Sequence, residues 1–277
     1  MNIPKTYKKF KNYIQVAVDA NRQNGIDKLM QQELCPEVIL LDDAFQHRKV
    51  KPGYSILLTA FNNIYVNDWY LPTGDLRDSK REALRANTIV VTKCPKNLSI
   101  SERNKIVDRI NLKEHQKILF SYLSYNKDLK GVSVNLTVLK DKKVTLVTGI
   151  ANPVPLVDFL LEEGLIFDHM KFNDHHFFTE QEIKVLKGKE CILTTEKDYV
   201  RLKSRLRNLH YIEVSHQFIG NDKEVLEEAL KQNQVDLEEI GKGEVSELQV
   251  TNKSDSDVLI VSGWFYRTAF VIPTSEL

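Results

Sequence analysis

Glu37-Val38-Ile39-Leu40-Leu41-Asp42-Asp43-Ala44-Phe45-Gln46-His47-Arg48 joins a short apolar run to two adjacent acids, then to an amide, an imidazole and a guanidinium. The apolar, partly β-branched residues read as a buried parallel strand. Neighbouring carboxylates are costly to bury unless something positive meets them. In open α/β sheets the C-terminal ends of strands face the ligand crevice. An apolar strand ending in Asp42-Asp43 therefore suggests a Mg²⁺ site of the phosphoryl-transfer kind. Acids that cap a following turn are the other reading, and the pair alone leaves both open. Gln46, His47 and Arg48 add weight to the first, because together they could position nucleotide phosphates or an anionic substrate. Alone, His47 would read as a structural hydrogen-bonding residue.

Working outward, Ile14-Gln15-Val16-Ala17-Val18 reads as a strand, and a helix covers Gly25 to Leu34. Tyr54 to Thr59 and Thr88 to Thr92 are further strands, with a helix expected from Ser79 to Ala86 between them. Ser99, with Glu102 three residues on, forms a capping-box pattern that opens a helix to about Asn111. Strand and helix alternate, so the fold is α/β with a mainly parallel sheet. Between Ser121 and Lys143 the pattern loosens. Val132, Val134, Leu136 and Val138 alternate with polar residues, the period of a half-buried strand. A second α/β unit then begins with a strand from Val144 to Val147, a turn at Gly149-Ile150-Ala151-Asn152-Pro153, and a helix from Pro155 to Glu163 closed by Gly164. Thr179 is read as the N-cap of a helix to Leu186, Cys191 to Thr194 as a strand, and Glu196 to Leu202 as a helix. The expected division is a nucleotide-binding core at 1–124, a β-rich linker at 125–143, a second, smaller α/β domain at 144–232, and a C-terminal appendage at 233–277.

Bulk composition bounds the function. The 277 residues are 42% hydrophobic and 28% charged, enough for a real core and two domains. Lys and Arg total 39 against 38 for Asp and Glu, a formal net charge of +1. A nucleic-acid binder usually carries a marked basic excess, so none is expected as a partner. No apolar run reaches membrane-spanning length and no secretory signal is read, which places the protein in the cytoplasm. Cys35, Cys94 and Cys191 are odd in number and far apart, unlike a disulfide framework or zinc site. Cys191, in an apolar run, reads as a small core residue.

Three further motifs carry chemistry. Leu71-Pro72-Thr73-Gly74-Asp75-Leu76-Arg77 is a loop that presents Arg77 either to a phosphate or to Asp75 or Asp78. Asn173-Asp174-His175-His176 offers two imidazoles, each open to a role as ligand, proton carrier or substrate contact. Zinc is disfavoured, since no further His or Cys sits at ligand spacing. Thr194-Thr195-Glu196-Lys197-Asp198 is ordinary capping chemistry except for Lys197, whose charge opposes the helix dipole in the first turn.

In order, LDDAFQHR, LPTGDLRD, RANTIVVTKCP, TGIANP, FNDHHFFT and TTEKDYVRL closely resemble the tetraacyldisaccharide 4′-kinase family, over roughly Val16 to Val214. The resemblance implies a P-loop-type kinase with an α/β core and a second α/β domain, whose active site lies in the cleft between them. It implies ATP and Mg²⁺ as cofactors and the lipid A disaccharide precursor as acceptor. It also implies peripheral contact with the inner face of the inner membrane. Asp42 and Asp43 match the family's paired acids near the metal and phosphates, with Asp43 also catalytic. His175 matches the first histidine of its Asp-His motif, which activates the sugar hydroxyl. Gln46, His47, Arg48, Arg77 and Lys197 fall at phosphate- or substrate-contacting positions. One departure stands out: no Gly-x-x-x-x-Gly-Lys-Ser/Thr run occurs in the sequence. The family carries that loop ahead of the position matching Met1, and Asn2 aligns, through Pro4, with its Asp-Glu-Pro motif. The expectation is an N-terminally truncated member with little activity of its own. Two alternatives are carried forward. One is a metal-dependent phosphohydrolase ligated by Asp42, Asp43, His47, Asp174 and His175. The other is a noncatalytic nucleotide- or lipid-binding module.

Overall fold

The computed structural model describes residues 17, 19–33, 36, 38–42, 44–46 and 48–233, and strand backbone at 236–239, 248–251, 258–259 and 268–273. The expected strand at 14–18, of which only Ala17 is described, and Asn2, Pro4, Cys35, Asp43, His47 and the side chain of Asp42 lie outside the described residues. Two compact units divide the chain: Met1–Tyr122 with His216–Leu277, and Leu123–Ser215.

The first unit is built on β1 (Val38–Asp42), β2 (Tyr54–Ala60), β3 (Thr88–Thr92) and β4 (Lys117–Tyr125). β2, β3 and β4 pair in parallel. The backbone of β15 (Thr268–Pro273) runs antiparallel to both β1 and β2, so β1 points the same way as β2. The C-terminal ends of β1 to β4 therefore share one edge. Completing the sheet, β14 (Val258–Leu259) lies beside β1 and β11 (Val214–Phe218) beside β4. The continuous apolar run of β1 has a simple cause. Val38 and Leu40 pack on one face with Leu226, Ala229 and Leu230 of a helix at Asp222–Gln232, while Ile39 and Leu41 pack on the other with Ile26 and Leu29 of a helix at Arg22–Met30. A strand covered on both sides cannot alternate.

Ser99 and Glu102 form the expected capping box: Glu102 N donates to Ser99 Oγ at 3.2 Å and Ser99 N to Glu102 Oε2 at 2.9 Å. The helix they open, Ile100–Ile110, ends at Asn111 in the left-handed region, φ 55°. The expected helix from Ser79 to Ala86 is instead a 3₁₀ helix, Lys80–Arg85. Its late carbonyls find partners outside the helix: Gln116 Nε2 donates to Ala83 O and Ala86 O, and His115 Nε2 lies 3.0 Å from Leu84 O. With those acceptors engaged elsewhere, an α-helical turn is not needed to satisfy them.

The second unit holds a six-stranded sheet in the order β6-β5-β10-β9-β7-β8. Its parallel part comprises β7 (Val144–Thr148), β8 (Phe167–Lys171), β9 (Cys191–Thr195) and β10 (Leu209–Ile212). β5 (Asp128–Gly131) pairs antiparallel with β10. The alternation from Val132 to Val138 does not make the expected strand. Only Val134–Asn135 is extended (β6), and Leu136–Leu139 is a 3₁₀ turn. Asn135 Oδ1 accepts from Thr137 N, capping that turn, and a spacing of three carries both Leu136 and Leu139 into the core. Leu136 and Leu139, from the segment read as a linker, are thus core residues of this unit, whereas the Asp222–Gln232 helix packs in the first unit. Cys191 is buried as expected, and burial pushes its thiol pKa up; the same cause takes Cys94 to about 12. Among the described residues no helix is long and apolar enough to cross a membrane.

Candidate active site

The candidate residues fall in two clusters, each at the C-terminal edge of its own sheet. In the first unit the backbone of Asp42 ends β1. Beyond it Gln46 and Arg77 line one small, mostly apolar cleft of about 70 Å³, with Phe45, Leu57, Tyr65 and Leu76. Arg77 is exposed and has no ion-pair partner among the described residues. Asp78, which could have paired with it, instead holds Arg48 at 3.2 Å, and Glu82 meets Arg48 at the same distance. Arg48 therefore ties the β1 motif to the 3₁₀ helix. Arg85 strengthens that tie, donating to Phe45 O at 2.6 Å with its guanidinium 4.5 Å from the Phe45 ring centre.

The loop presenting Arg77 is organised by Asp68, which the motif reading missed. Asp68 is buried, and its Oδ1 accepts from Trp69 N at 2.7 Å and from Asp75 N at 3.4 Å. Gly74 lies against this knot, leaving no room for a Cβ. The carboxylate satisfies backbone donors that an irregular loop would otherwise leave unpaired.

In the second unit, the segments after β7, β8 and β9 converge. Gly149 follows the end of β7, and its N–H donates to Asp198 Oδ2 at 2.8 Å. Asp198 is fully buried at the start of a helix, Glu196–Leu202, and also accepts from Thr195 Oγ1 at 2.9 Å. His175 N lies 3.3 Å from Gly149 O and donates to Asp174 Oδ1 at 2.9 Å. These bonds hold His175 in the left-handed region, φ 61°, with its side chain exposed. A non-glycine residue kept there by surrounding bonds is a common mark of a functional position.

Around the imidazole stand Asp174, Lys197 and Arg201. Lys197 Nζ donates to Asp174 Oδ1 at 2.8 Å and lies 3.3 Å from His175 Nε2. Arg201, one helical turn beyond Lys197, places its guanidinium 3.3 Å from His175 Nδ1. A neutral imidazole has one acceptor nitrogen, so it accepts from only one of these cations at a time. Lys197 thus trades an unfavourable place in a helix's first turn for the Asp174 carboxylate. His176, next in sequence, is a structural residue. Its Nε2 meets both oxygens of Glu182 at 3.1 and 3.0 Å, and its ring stacks on Phe172 at 4.7 Å. Glu182 is itself the capping-box partner of Thr179.

Burial alone raises the Asp174 pKa, but the Lys197 hydrogen bond and charge, then His175, outweigh it and hold the carboxyl below its ordinary range. A depressed carboxylate contributes stability above its unfolded pKa, and loses it as pH falls through the folded value. Replacing Lys197 by Met is therefore expected to move the Asp174 titration upward, read by carboxyl ¹³C NMR. An unmoved titration would contradict the assignment of Lys197 as the dominant partner.

The structure thus brings Gln46 and Arg77 together in one unit, and Asp174, His175 and Lys197 in the other. Sequence reasoning missed Asp198 and Arg201. The first looked like an ordinary early-helix acid, and the second shared a helix face with Lys197 through its spacing of four. Among the described residues no three His, Cys, Asp or Glu side chains could hold a metal ion. At Asp174 an ammonium stands where the phosphohydrolase reading needs a cation.

The family profile described as "Tetraacyldisaccharide-1-P 4'-kinase" matches residues 6–234. Over 224 residues the chain is 43% identical to the tetraacyldisaccharide 4'-kinase of Flavobacterium johnsoniae, covering 78% of this chain and 65% of that protein. It is 39% identical over 204 residues to the enzyme of the same name from Phocaeicola vulgatus, covering 68% and 56%. The chain thus spans less than two thirds of the length of these relatives. A crystal structure of the "apo" form of LpxK from Aquifex aeolicus in complex with ATP is similar at a TM-score of 0.49 and 23% identity, over 69% of this chain and 56% of that one. With its motifs in order, and a family profile matched along most of its length, the chain belongs to the tetraacyldisaccharide-1-P 4'-kinase family.

Proposed function

We propose that this chain carries the acceptor-activating and metal-holding parts of a kinase that transfers the γ-phosphate of ATP to the 4′-hydroxyl of tetraacyldisaccharide 1-phosphate. The observation that carries the reading is the cluster of Asp174, His175 and Lys197 at the C-terminal ends of β7, β8 and β9, the edge where α/β sheets take ligands. An exposed imidazole, fixed by its own backbone and flanked by a held carboxylate, can take the proton of an approaching hydroxyl. Lys197 and Arg201 place positive charge beside that point, where an attacking oxygen and a phosphoryl group gain negative charge. In the other unit Arg77, free of ion pairs among the described residues, is presented for an anionic group.

Asp42, whose backbone ends β1, and Asp43, next in sequence, are both carboxylates, a donor type that fits Mg²⁺; these two would hold it, with Asp43 also acting in catalysis. When bound, the ion would supply positive charge to offset the negative charge of the phosphate groups. Gln46 and His47 follow in sequence as candidates for phosphate contact, and Arg48, held by Asp78 and Glu82, comes next. The protein would work at the inner face of the inner membrane, where the acyl chains of the acceptor reside.

The product decides the matter. The region of the F. johnsoniae relative that matches this chain is replaced by this chain's own residues, and the chimaera is incubated with Mg²⁺, ATP and tetraacyldisaccharide 1-phosphate. The expected ³¹P spectrum shows ADP and a second phosphomonoester on the sugar. Release of inorganic phosphate from the 1-phosphate would favour the phosphohydrolase, and binding without turnover by the chimaera would favour the noncatalytic module.

A further inference from the structure

The second unit has another charged feature, at the opposite end of its sheet. A hollow of about 540 Å³ lies beside the N-terminal ends of β9 and β10, next to the end of a helix at Glu180–Lys187 and the turn after Glu196–Leu202. Of its ten lining residues five are cations, Lys187, Lys189, Lys203, Arg205 and Arg207, and none is acidic. Arg205 is paired with Glu180 and donates to Phe178 O at 3.1 Å. Lys187, Lys189, Lys203 and Arg207 are in no ion pair among the described residues.

Cations commonly sit at helix C-termini because they complement the dipole. That accounts for Lys187 in a last turn and Lys203 at a C-cap, but not for Lys189, Arg205 and Arg207, which lie outside helices. Gathering like charges around one concavity costs free energy through mutual repulsion and focuses a positive potential into it. The hollow is within the size range of ligand sites, roughly 300–1,000 Å³. Its chemistry is that of phosphate recognition: ammonium points and guanidinium forks, with no carboxylate to repel the ligand. It cannot belong to the cluster around His175, because Gly149, Asp174 and Lys197 follow the C-terminal ends of the same parallel strands.

We propose that this basic hollow binds a phosphate-bearing anion, independently of the kinase site. Two sources share that chemistry, an anionic lipid headgroup and a free polyphosphate, and the test separates them. The chain is sedimented with phosphatidylcholine vesicles lacking or containing phosphatidylglycerol, and separately titrated with inorganic pyrophosphate while amide NMR signals of residues 186–189 and 203–208, which line the hollow, are followed. Binding to the phosphatidylglycerol vesicles alone, weakened by salt, assigns the site to lipid headgroups. The triple variant Lys187→Glu, Lys189→Glu, Lys203→Glu is then expected to lower vesicle partition roughly a hundredfold. Shifts with pyrophosphate and no vesicle binding assign it to a soluble phosphate ligand. If the Glu variant does not fold by circular dichroism, the Lys→Gln triple variant carries the comparison. Absence of binding to either probe, or variants that bind both as the parent does, would overturn the proposal.

Discussion

Asp198→Ala is expected to lower the stability of the second unit by about 4 kcal/mol. The carboxylate is fully buried and organises three segments at once. It accepts from Gly149 N after β7, from Thr195 Oγ1 at the end of β9, and from Arg201 at 3.3 Å. Truncation leaves a buried N–H with no acceptor, about 1–3 kcal/mol by itself, and strips Arg201 of its carboxylate. The Gly149 backbone also depends on it, since a Cβ at 149 would stand 2.9 Å from Asp198 Oδ1. Asp198→Asn keeps one acceptor oxygen and should cost about half as much. Because a two-unit chain need not unfold in one step, amide exchange within β7 and β9 is the appropriate readout. A loss below about 1 kcal/mol would mean that water replaces the carboxylate and that it is not the organiser of the site.

The second large effect is expected at Gly74. A Cβ there would stand 2.2 Å from Trp69 O and 2.5 Å from Asp68 Oδ1, and the first of these is backbone that cannot swing aside. Gly74→Ala must therefore separate the two halves of the loop, breaking contacts such as Leu76 N to Trp69 O at 3.1 Å. The expected cost is about 3 kcal/mol in the first unit, the upper end of ordinary overpacking. Arg77 would be displaced with the loop, so binding of an anionic ligand there should weaken along with stability. Unchanged exchange protection at Leu76 would contradict this account of the loop.

How much of this was legible beforehand differs by residue. The run at Val38–Leu41 was readable because both faces of β1 are covered, which erases alternation. Ser99 with Glu102 marked a helix start because capping is local chemistry. The stretch from Val132 to Val138 misled, since Leu139, just past the alternation, stands three residues after Leu136, and the core took Leu136 and Leu139 while leaving Val138 exposed. β8 left no clear signal because Phe167 to Lys171 forms a half-exposed edge of mixed polarity. The Asp222–Gln232 helix has an apolar face, but nothing in that face says which sheet it covers. At the site, the Asp-His motif and Lys197 could be picked out by resemblance and by an odd charge at a helix start. Asp198 could not, because an acid three residues after a threonine cap looks the same whether it caps or organises a loop. The different fates of His175 and His176 followed from Glu182, whose part in the Thr179 capping box puts a carboxylate beside His176.

That difference between neighbours allows the most direct measurement. His175→Ala and His176→Ala are compared in the chimaera with the F. johnsoniae relative, for γ-phosphate transfer and for unfolding. The account predicts that His175→Ala slows transfer by roughly a hundredfold or more with stability nearly unchanged. His176→Ala, which loses Glu182 and the Phe172 stack, should instead lower stability while transfer by the folded protein continues. Transfer that survives the loss of His175 and vanishes with His176 would contradict it.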